Sequence, residues 1–277
     1  MTASGTAPNH NRILLLIGGD DDSVDPAAMG ELTGASRSEV GRPRLVVAAD
    51  SGLHLAQSAG LTVDHVVGDM DSVDHDVLAA FEGAGAIVHR HAADKDATDL
   101  ELALDLVCGL VVASGDALGE VPAPRAERTR LEVVSGGGGR LDHLLGTLLM
   151  LAGPRLAHLD VFARIGRASV WVVRGGRAME VPGRPGEHLS LLAAHGDAHE
   201  VNATGLRWPL IGGFLAAGSS RAMSNEFTES TATVSLAVGT LLVIAPGTTS
   251  QVPADRAGPY DPSPPIAPGH ALDGGGS

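Results

Sequence analysis

The chain has 277 residues, 44% of them hydrophobic and only 3% aromatic, enough for one large or two medium domains whose core is built from Leu, Val, Ile and Ala. Its 33 acidic residues outweigh 19 basic ones, for a formal charge of -14. That balance argues against a sequence-independent grip on nucleic acid or an anionic membrane, and suits a small cation or a metal–phosphate complex.

No uncharged apolar run reaches the roughly 18 residues of a membrane span, and MTASGTAPNHNR lacks the basic start and apolar stretch of a secretory leader, so a cytoplasmic protein is expected. The single cysteine, Cys108, has no intrachain partner. It sits at helical spacing among Leu104, Val107 and Val111 and reads as a buried small apolar residue in a reducing compartment.

Residues 1–11 are polar and expected to be disordered. RILLLIGG (Arg12–Gly19) then reads as a fully buried strand ended by glycines, followed by an acidic loop that begins at residues 20–25. RLVVAADSG (Arg44–Gly52) is a second buried strand, LHLAQSAGL a short helix closed by Gly60, and HVVGDMDS (His65–Ser72) a third strand with aspartates at its carboxyl end. VDHDVLAAFEGAG reads as a helix, AIVHR as a fourth strand, and DKDATDLELALDLVCGLVVAS as a capped helix with apolar Leu100, Ala103, Leu104 and Val107.

Residues 115–130 have the composition of a loop insertion. LEVVSGGGG resumes as a strand, and RLDHLLGTLLMLAG as a Leu-rich helix ended by Gly153 and Pro154. This alternation predicts an α/β domain over 12–154, a parallel sheet with helices on both faces. Beyond Pro154 come HLDVFARI, ASVWVVR, RAMEV, EHLSLLAAH, TATVSLAV and TLLVIA, short segments separated by turn residues. They predict an antiparallel β-sandwich domain over 155–247, and residues 248–277, poor in bulky apolar side chains, a disordered tail.

Ligands of open parallel sheets bind beyond the carboxyl ends of the strands. Three such ends carry polar sets here: Asp50-Ser51, Asp69-Met70-Asp71-Ser72, and Asp94 to Asp99. In an extended segment Asp69 and Asp71 point the same way, a pairing that suits a hard divalent cation such as Mg²⁺. Helix capping is the plainer alternative: Asp71 or Ser72 capping the next helix, or Asp96 as N-cap with Asp99 at the third helical position.

The turn SGGGGRLDHLLG (Ser135–Gly146) offers Gly138 and Gly139 for close backbone approach to phosphate, with Arg140 and Asp142 beside them, although it is no Walker P-loop. His89 and His91 sit at strand spacing without a second pair to complete a zinc site. Of the two tryptophans, Trp171 in ASVWVVR reads as core. Trp208 in RWPL is open between a packed residue ahead of Pro209 and a ligand platform.

Taken in order, AADSG, GDMDS, KDATDLELAL, GGGGRLDH, TGLRWPL and GSSRAMSNE resemble the thiamine pyrophosphokinase family, from about Ile13 to Ile244. The resemblance implies an α/β catalytic domain, a β-sandwich, and a homodimer with active sites between subunits. It also implies Mg²⁺-dependent transfer of a pyrophosphoryl group from ATP to the hydroxyl of thiamine, giving thiamine diphosphate and AMP.

Carried over by position, it sets Asp50, Asp69, Asp71 and Asp99 around the metal and phosphates, with Asp69, Asp71 and Asp99 as ligands. Asp71 or Asp99 orients or deprotonates the attacking hydroxyl. Lys95, Asp96 and Thr98 belong to the same ATP-binding loop, and Gly138, Gly139, Arg140 and Asp142 face the nucleotide. Trp208 stacks on thiamine from the partner subunit, with Ser224 and Asn225 offering hydrogen bonds.

Two positions depart from the family pattern: Leu53-His54-Leu55 stands where many relatives have a small-Asn-Arg stretch, and Met70 where Phe is frequent. The acidic loop and the 115–130 insertion have no counterpart in the resemblance. Two competing readings are a same-fold pyrophosphokinase acting on another alcohol, such as a pterin, and a non-catalytic sensor of thiamine or its diphosphate.

Overall fold

The computed structural model describes residues 12–19, 45–113 and 128–247. The expectations for the N-terminal segment, the acidic loop, most of the 115–130 insertion and the C-terminal tail lie outside the described residues.

Six strands run parallel: β1 (Arg12–Ile17), β2 (Leu45–Ala49), β3 (His65–Gly68), β4 (Ile87–Arg90), β5 (Arg130–Ser135) and β6 (Asp160–Ile165), in the spatial order β6-β5-β1-β2-β3-β4. β1 is continuously apolar from Ile13 to Ile17 because both its faces are covered. Ile13, Leu15 and Ile17 pack with Leu100, Ala103, Leu104 and Val107 of helix α3 (Asp99–Ala113) and with Leu151 and Ala152 of α4 (Leu141–Ala152). On the other face Leu14 and Leu16 meet Leu53, Ala56 and Ala59 of α1 (Gly52–Ala59) and Leu78 of α2 (His75–Gly83). Helices therefore cover both faces, as expected.

Local chemistry sets the helix ends. Gly60 adopts the left-handed conformation (φ 63°) that stops α1, its N–H reaching the Ala56 and Gln57 carbonyls. The Asp74 carboxylate opens α2 by accepting the Asp76 N–H at 2.8 Å, so neither Asp71 nor Ser72 is the cap of that helix.

The second half comprises β7 (Ala168–Arg174), β8 (Arg177–Pro182), β9 (His188–Ala193), β10 (Ala198–Thr204), β11 (Leu210–Leu215), β12 (Asn225–Glu226), β13 (Thr231–Leu236) and β14 (Thr240–Ala245). Strands β12-β9-β14-β7 extend the parallel set into one ten-stranded sheet, while β11-β10-β13-β8 form a separate antiparallel sheet of four. Leu189, Leu191, Leu241 and Val243 from the first meet Val181, Val201, Ala232 and Val234 from the second, which makes the two layers of a β-sandwich.

The change from parallel to antiparallel pairing falls later than Pro154. β6 lies parallel to β5, and the first antiparallel partner is β7. The physical reason is connection length: α4 carries the chain back for a parallel crossover, whereas only the Gly166-Arg167 turn separates β6 from β7. Trp171 is only partly buried, packed against the sandwich core and against Phe162 with ring centroids 5.3 Å apart. Cys108 is only half-buried, against the α3-side core.

Candidate active site

Adjacent strand ends build the site. After β2 the chain enters the left-handed region at Asp50 (φ 44°), whose N–H donates to the Val67 carbonyl at 2.8 Å. β3 ends at Gly68 (φ 149°) and is followed by Asp69, and α3 begins at Asp99. These turns bring Asp50, Asp69 and Asp99 together, each with a carboxylate oxygen within 4.8 Å of the others. Lys95 bridges two of them, its Nζ 3.3 Å from Asp69 Oδ2 and 3.0 Å from Asp99 Oδ1.

Three carboxylates against one ammonium leave the cluster short of positive charge. Burial pushes the Asp50 pKa up, with Asp99 and Asp69 adding repulsion against hydrogen bonds from Ser51 and Ser72. The Asp71 backbone N–H, followed by Lys95, holds Asp69 below the usual carboxylate range. At Lys95 burial opposes the charge, but hydrogen bonds to Asp99 and Asp69 outweigh it and the pKa is raised.

Among the buried oxygens of the triad, Asp50 Oδ1 has no hydrogen-bond partner, whereas Asp99 Oδ1 is held by the Lys95 ammonium at 3.0 Å. An unpartnered buried carboxylate oxygen with two further carboxylates within 4.8 Å is the donor set of a hard divalent cation, so these residues fit one.

Gly68 makes that convergence sterically feasible, and sequence reasoning missed it. A β-carbon there would lie 3.1 Å from Asp99 Oδ1 and 3.2 Å from Asp50 Cβ, on a backbone that L-residues rarely adopt. Its only signal was the glycine directly ahead of the first aspartate in GDMDS.

Asp71 lies outside the triad. The expected strand alternation of Asp69 and Asp71 does not extend this far, because β3 stops at Gly68 and Met70 turns left-handed (φ 67°) with its side chain buried. Asp71 is exposed and accepts the Ser72 hydroxyl at 2.9 Å. Asp96 is also exposed and does not cap α3: the Thr98 hydroxyl accepts the Glu101 N–H at 3.2 Å, and Asp99 is the first helical residue.

The glycine-rich turn leads from β5 into α4, with Gly137, Gly138 and Gly139 at φ 69°, 70° and 68°. It is fastened to the end of β1: the Ser135 hydroxyl donates to the Gly18 carbonyl at 2.7 Å and accepts the Gly137 N–H at 3.2 Å. A β-carbon at Gly19 would come within 2.8 Å of Gly137 N, so that glycine allows the close approach. Arg140 is folded onto Asp142 by two hydrogen bonds of 3.1 and 2.6 Å. The exposed guanidinium draws the Asp142 pKa down to about 2.

Trp208 is 56% exposed, not a packed core residue. The Arg207 guanidinium lies 5.0 Å from its ring centroid. Ser224 is exposed, whereas Asn225 is buried and its carboxamide is spent on the backbone of Trp208.

A parallel sheet whose strand ends hold an acidic triad, beside a glycine-rich turn at a helix start, defines an α/β enzyme that handles phosphates. Two family models match the chain: thiamin pyrophosphokinase, catalytic domain, over residues 37–163, and thiamin pyrophosphokinase, vitamin B1 binding domain, over residues 178–241. The chain belongs to the thiamin pyrophosphokinase family.

Among similar proteins, thiamine pyrophosphokinase of Bacillus subtilis is 27% identical over 200 residues, 72% of this chain and 86% of that one. Thiamine pyrophosphokinase 1 of Oryza sativa is 25% identical over 203 residues, 72% and 70% of the two chains. The crystal structure of the Bacillus subtilis protein superposes with a TM-score of 0.67 at 23% identity, over 86% of this chain and 100% of that one. That of thiamin pyrophosphokinase from Geobacillus thermodenitrificans gives 0.60 at 26%, over 86% and 99%.

Among the described residues no helix is long and apolar enough to cross a membrane.

Proposed function

We propose that the protein transfers the pyrophosphoryl group of ATP to the hydroxyl of thiamine, giving thiamine diphosphate and AMP. The observation that carries this reading is the triad Asp50, Asp69 and Asp99, in which the buried Asp50 Oδ1 lacks a hydrogen-bond partner, in a chain that matches both family models.

Asp50, Asp69 and Asp99 would hold Mg²⁺, which when bound neutralises charge on the phosphate oxygens. Lys95 helps keep Asp69 ionised for that task and pairs with Asp99. The turn at Gly137–Gly139 admits phosphate oxygens close to the backbone at the start of α4, and Arg140 exchanges Asp142 for phosphate. The thiamine hydroxyl attacks the β-phosphorus, the bridge to the α-phosphate breaks, and AMP leaves with the bridging oxygen.

Of the two residues open for the hydroxyl proton, Asp71 is favoured, because Asp99 is engaged by Lys95 within the triad and Asp71 is exposed beside it in the chain of Asp69. Asp71→Asn is expected to lower kcat by about 100-fold or more with KM for ATP little changed. Trp208 stacks on the thiazolium and pyrimidine rings, with the exposed Ser224 beside it.

We infer a cytoplasmic homodimer in which Trp208 serves the strand ends of the partner. Exposed Ile211, Phe214 and Met223 near Trp208 in the sequence support a covered surface there.

Incubation with thiamine, ATP and Mg²⁺ should release AMP and thiamine diphosphate in equal amounts. Formation of ADP, or turnover of other alcohols with none of thiamine, would overturn the proposal.

A further inference from the structure

We propose that Asn225 is a positioning residue: its carboxamide fixes the backbone of Trp208 so that the indole is presented to substrate, and it does not itself bind substrate. This rests on the reading of Trp208 as the thiamine platform.

Trp208 lies between β10 and β11 in a segment that belongs to neither strand and is closed by Pro209, which has no N–H to offer a ladder. Its own N–H and C=O therefore need partners from elsewhere. Asn225 supplies both, acting as a side-chain copy of a peptide unit. Its Oδ1 accepts the Trp208 N–H at 3.1 Å and its Nδ2 donates to the Trp208 carbonyl at 2.7 Å. Oδ1 also accepts the Glu226 N–H at 2.9 Å, which occupies both of its acceptor sites and fixes which end of the amide is oxygen. One Nδ2 hydrogen is left over, on a residue only 4% exposed.

The clamp is itself anchored. Asn225 and Glu226 form β12, paired with Leu189 and His188 of β9, and the next residue, Phe227, is fully buried and bridges to Leu206. From the same two-residue strand, Glu226 holds the Arg207 guanidinium at 3.1 Å, and that guanidinium covers one face of the Trp208 ring. The backbone and one ring face are thus set by residues 225 and 226, which leaves the opposite face for a flat ligand.

The test uses Trp171→Phe as background, so that Trp208 is the sole tryptophan. Asn225→Ala is expected to lower the fluorescence anisotropy of Trp208 in the ligand-free protein. It should also raise KM for thiamine about tenfold, the loss of a buried hydrogen-bond clamp, while KM for ATP stays unchanged. Asn225→Asp, which keeps the two bonds accepted by Oδ1 but sets a second oxygen against the Trp208 carbonyl, should shift both readouts in the same direction. In Trp208→Ala, adding Asn225→Ala should change KM for thiamine no further.

The proposal is overturned if thiamine KM rises with Trp208 anisotropy unmoved, or if the two substitutions add, since Asn225 would then touch substrate. It is equally overturned if KM for ATP and the unfolding temperature deteriorate in step with thiamine KM, the mark of a general structural role. If Trp208→Ala leaves thiamine KM unchanged while Asn225→Ala still loosens the indole, the thiamine reading of Trp208 fails and the clamp stands.

Discussion

Asp50 holds its half-buried carboxylate beside those of Asp69 and Asp99, on a left-handed backbone that aspartate tolerates better than most residues. Its raised pKa, caused first by burial and then by its two acidic neighbours, means that the charge is a burden on the metal-free fold. Asp50→Asn removes one negative charge while keeping size and backbone tolerance. The expected result is an unfolding midpoint higher by about 2–4 °C without metal, a smaller gain than wild type on adding Mg²⁺, and loss of turnover. Thermal scans with and without Mg²⁺, alongside the AMP assay, check this.

Gly68→Ala acts from the other side, since its β-carbon would crowd Asp99 and Asp50; it should weaken Mg²⁺ activation without changing net charge. The triad was legible as acid-rich strand ends because carboxylates announce themselves in a sequence. Gly68 was not, because its contribution is an absent atom. The shared direction expected of Asp69 and Asp71 does not hold, because a single left-handed residue, Met70, breaks the strand alternation between them.

At the scale of elements, β3 and β4 carry a contact that neither strand advertises alone. His65 Nδ1 and His89 Nε2 lie 2.9 Å apart, so one proton is shared between rings that cannot both be cationic without loss of the bond. Burial, then His89, lowers the His65 pKa against the pull of Asp64. With a folded pKa below the unfolded 6.5, the unfolded chain binds more protons in the window between the two values. The stabilisation is therefore present above about pH 6.5 and lost as pH falls through the folded pKa. The unfolding midpoint should drop between about pH 7 and 5, and His89→Gln, which keeps a hydrogen-bonding group but cannot titrate, should flatten that drop; an unchanged slope would contradict it.

The elements that sequence reasoning identified share an unbroken period. Those it missed do not: β10 has register shifts between Ala198, Val201 and Ala203, with Glu200 left-handed, and β11 carries Gly212 and Gly213 inside an exposed strand. β12 has only two residues, too few for any pattern, yet it holds the Trp208 clamp. At α3 the cap passed to Thr98 because its hydroxyl sits immediately before the first helical residue, a one-turn detail that the crowded acidic stretch obscured.

For the whole molecule, a passage from alternating strands and helices to strands alone was legible, but its place after β6 and the continuity of the ten-stranded sheet were not, since strand pairing is not written in either strand. The joint is made by arginine. Arg174, at the end of β7 and only 7% exposed, donates to the carbonyls of Ala152, Gly153 and Leu151 at 2.8, 3.0 and 3.3 Å. These are the last carbonyls of α4, where a cation also meets the negative end of the helix dipole. Burial, with Arg177 adding repulsion, brings the Arg174 pKa down to about 10, so it remains charged at neutral pH. Three residues along, Arg177 repeats the arrangement on the Ala157 and Leu159 carbonyls and on Asp160.

Because the opposite end of α4 carries the glycine-rich turn, this joint connects the sandwich to the phosphate-facing side of the sheet through one rigid helix. Arg174→Met leaves three buried carbonyls without their donor and is expected to cost about 3 kcal/mol in urea unfolding. Arg174→Lys, which keeps the charge but reaches fewer carbonyls, should recover part of that loss. If α4 transmits the effect, the protein that remains folded will show a raised KM for ATP with KM for thiamine unchanged, the reverse of the Asn225→Ala pattern. A fall in stability alone would make Arg174 a fastening of the fold and nothing more.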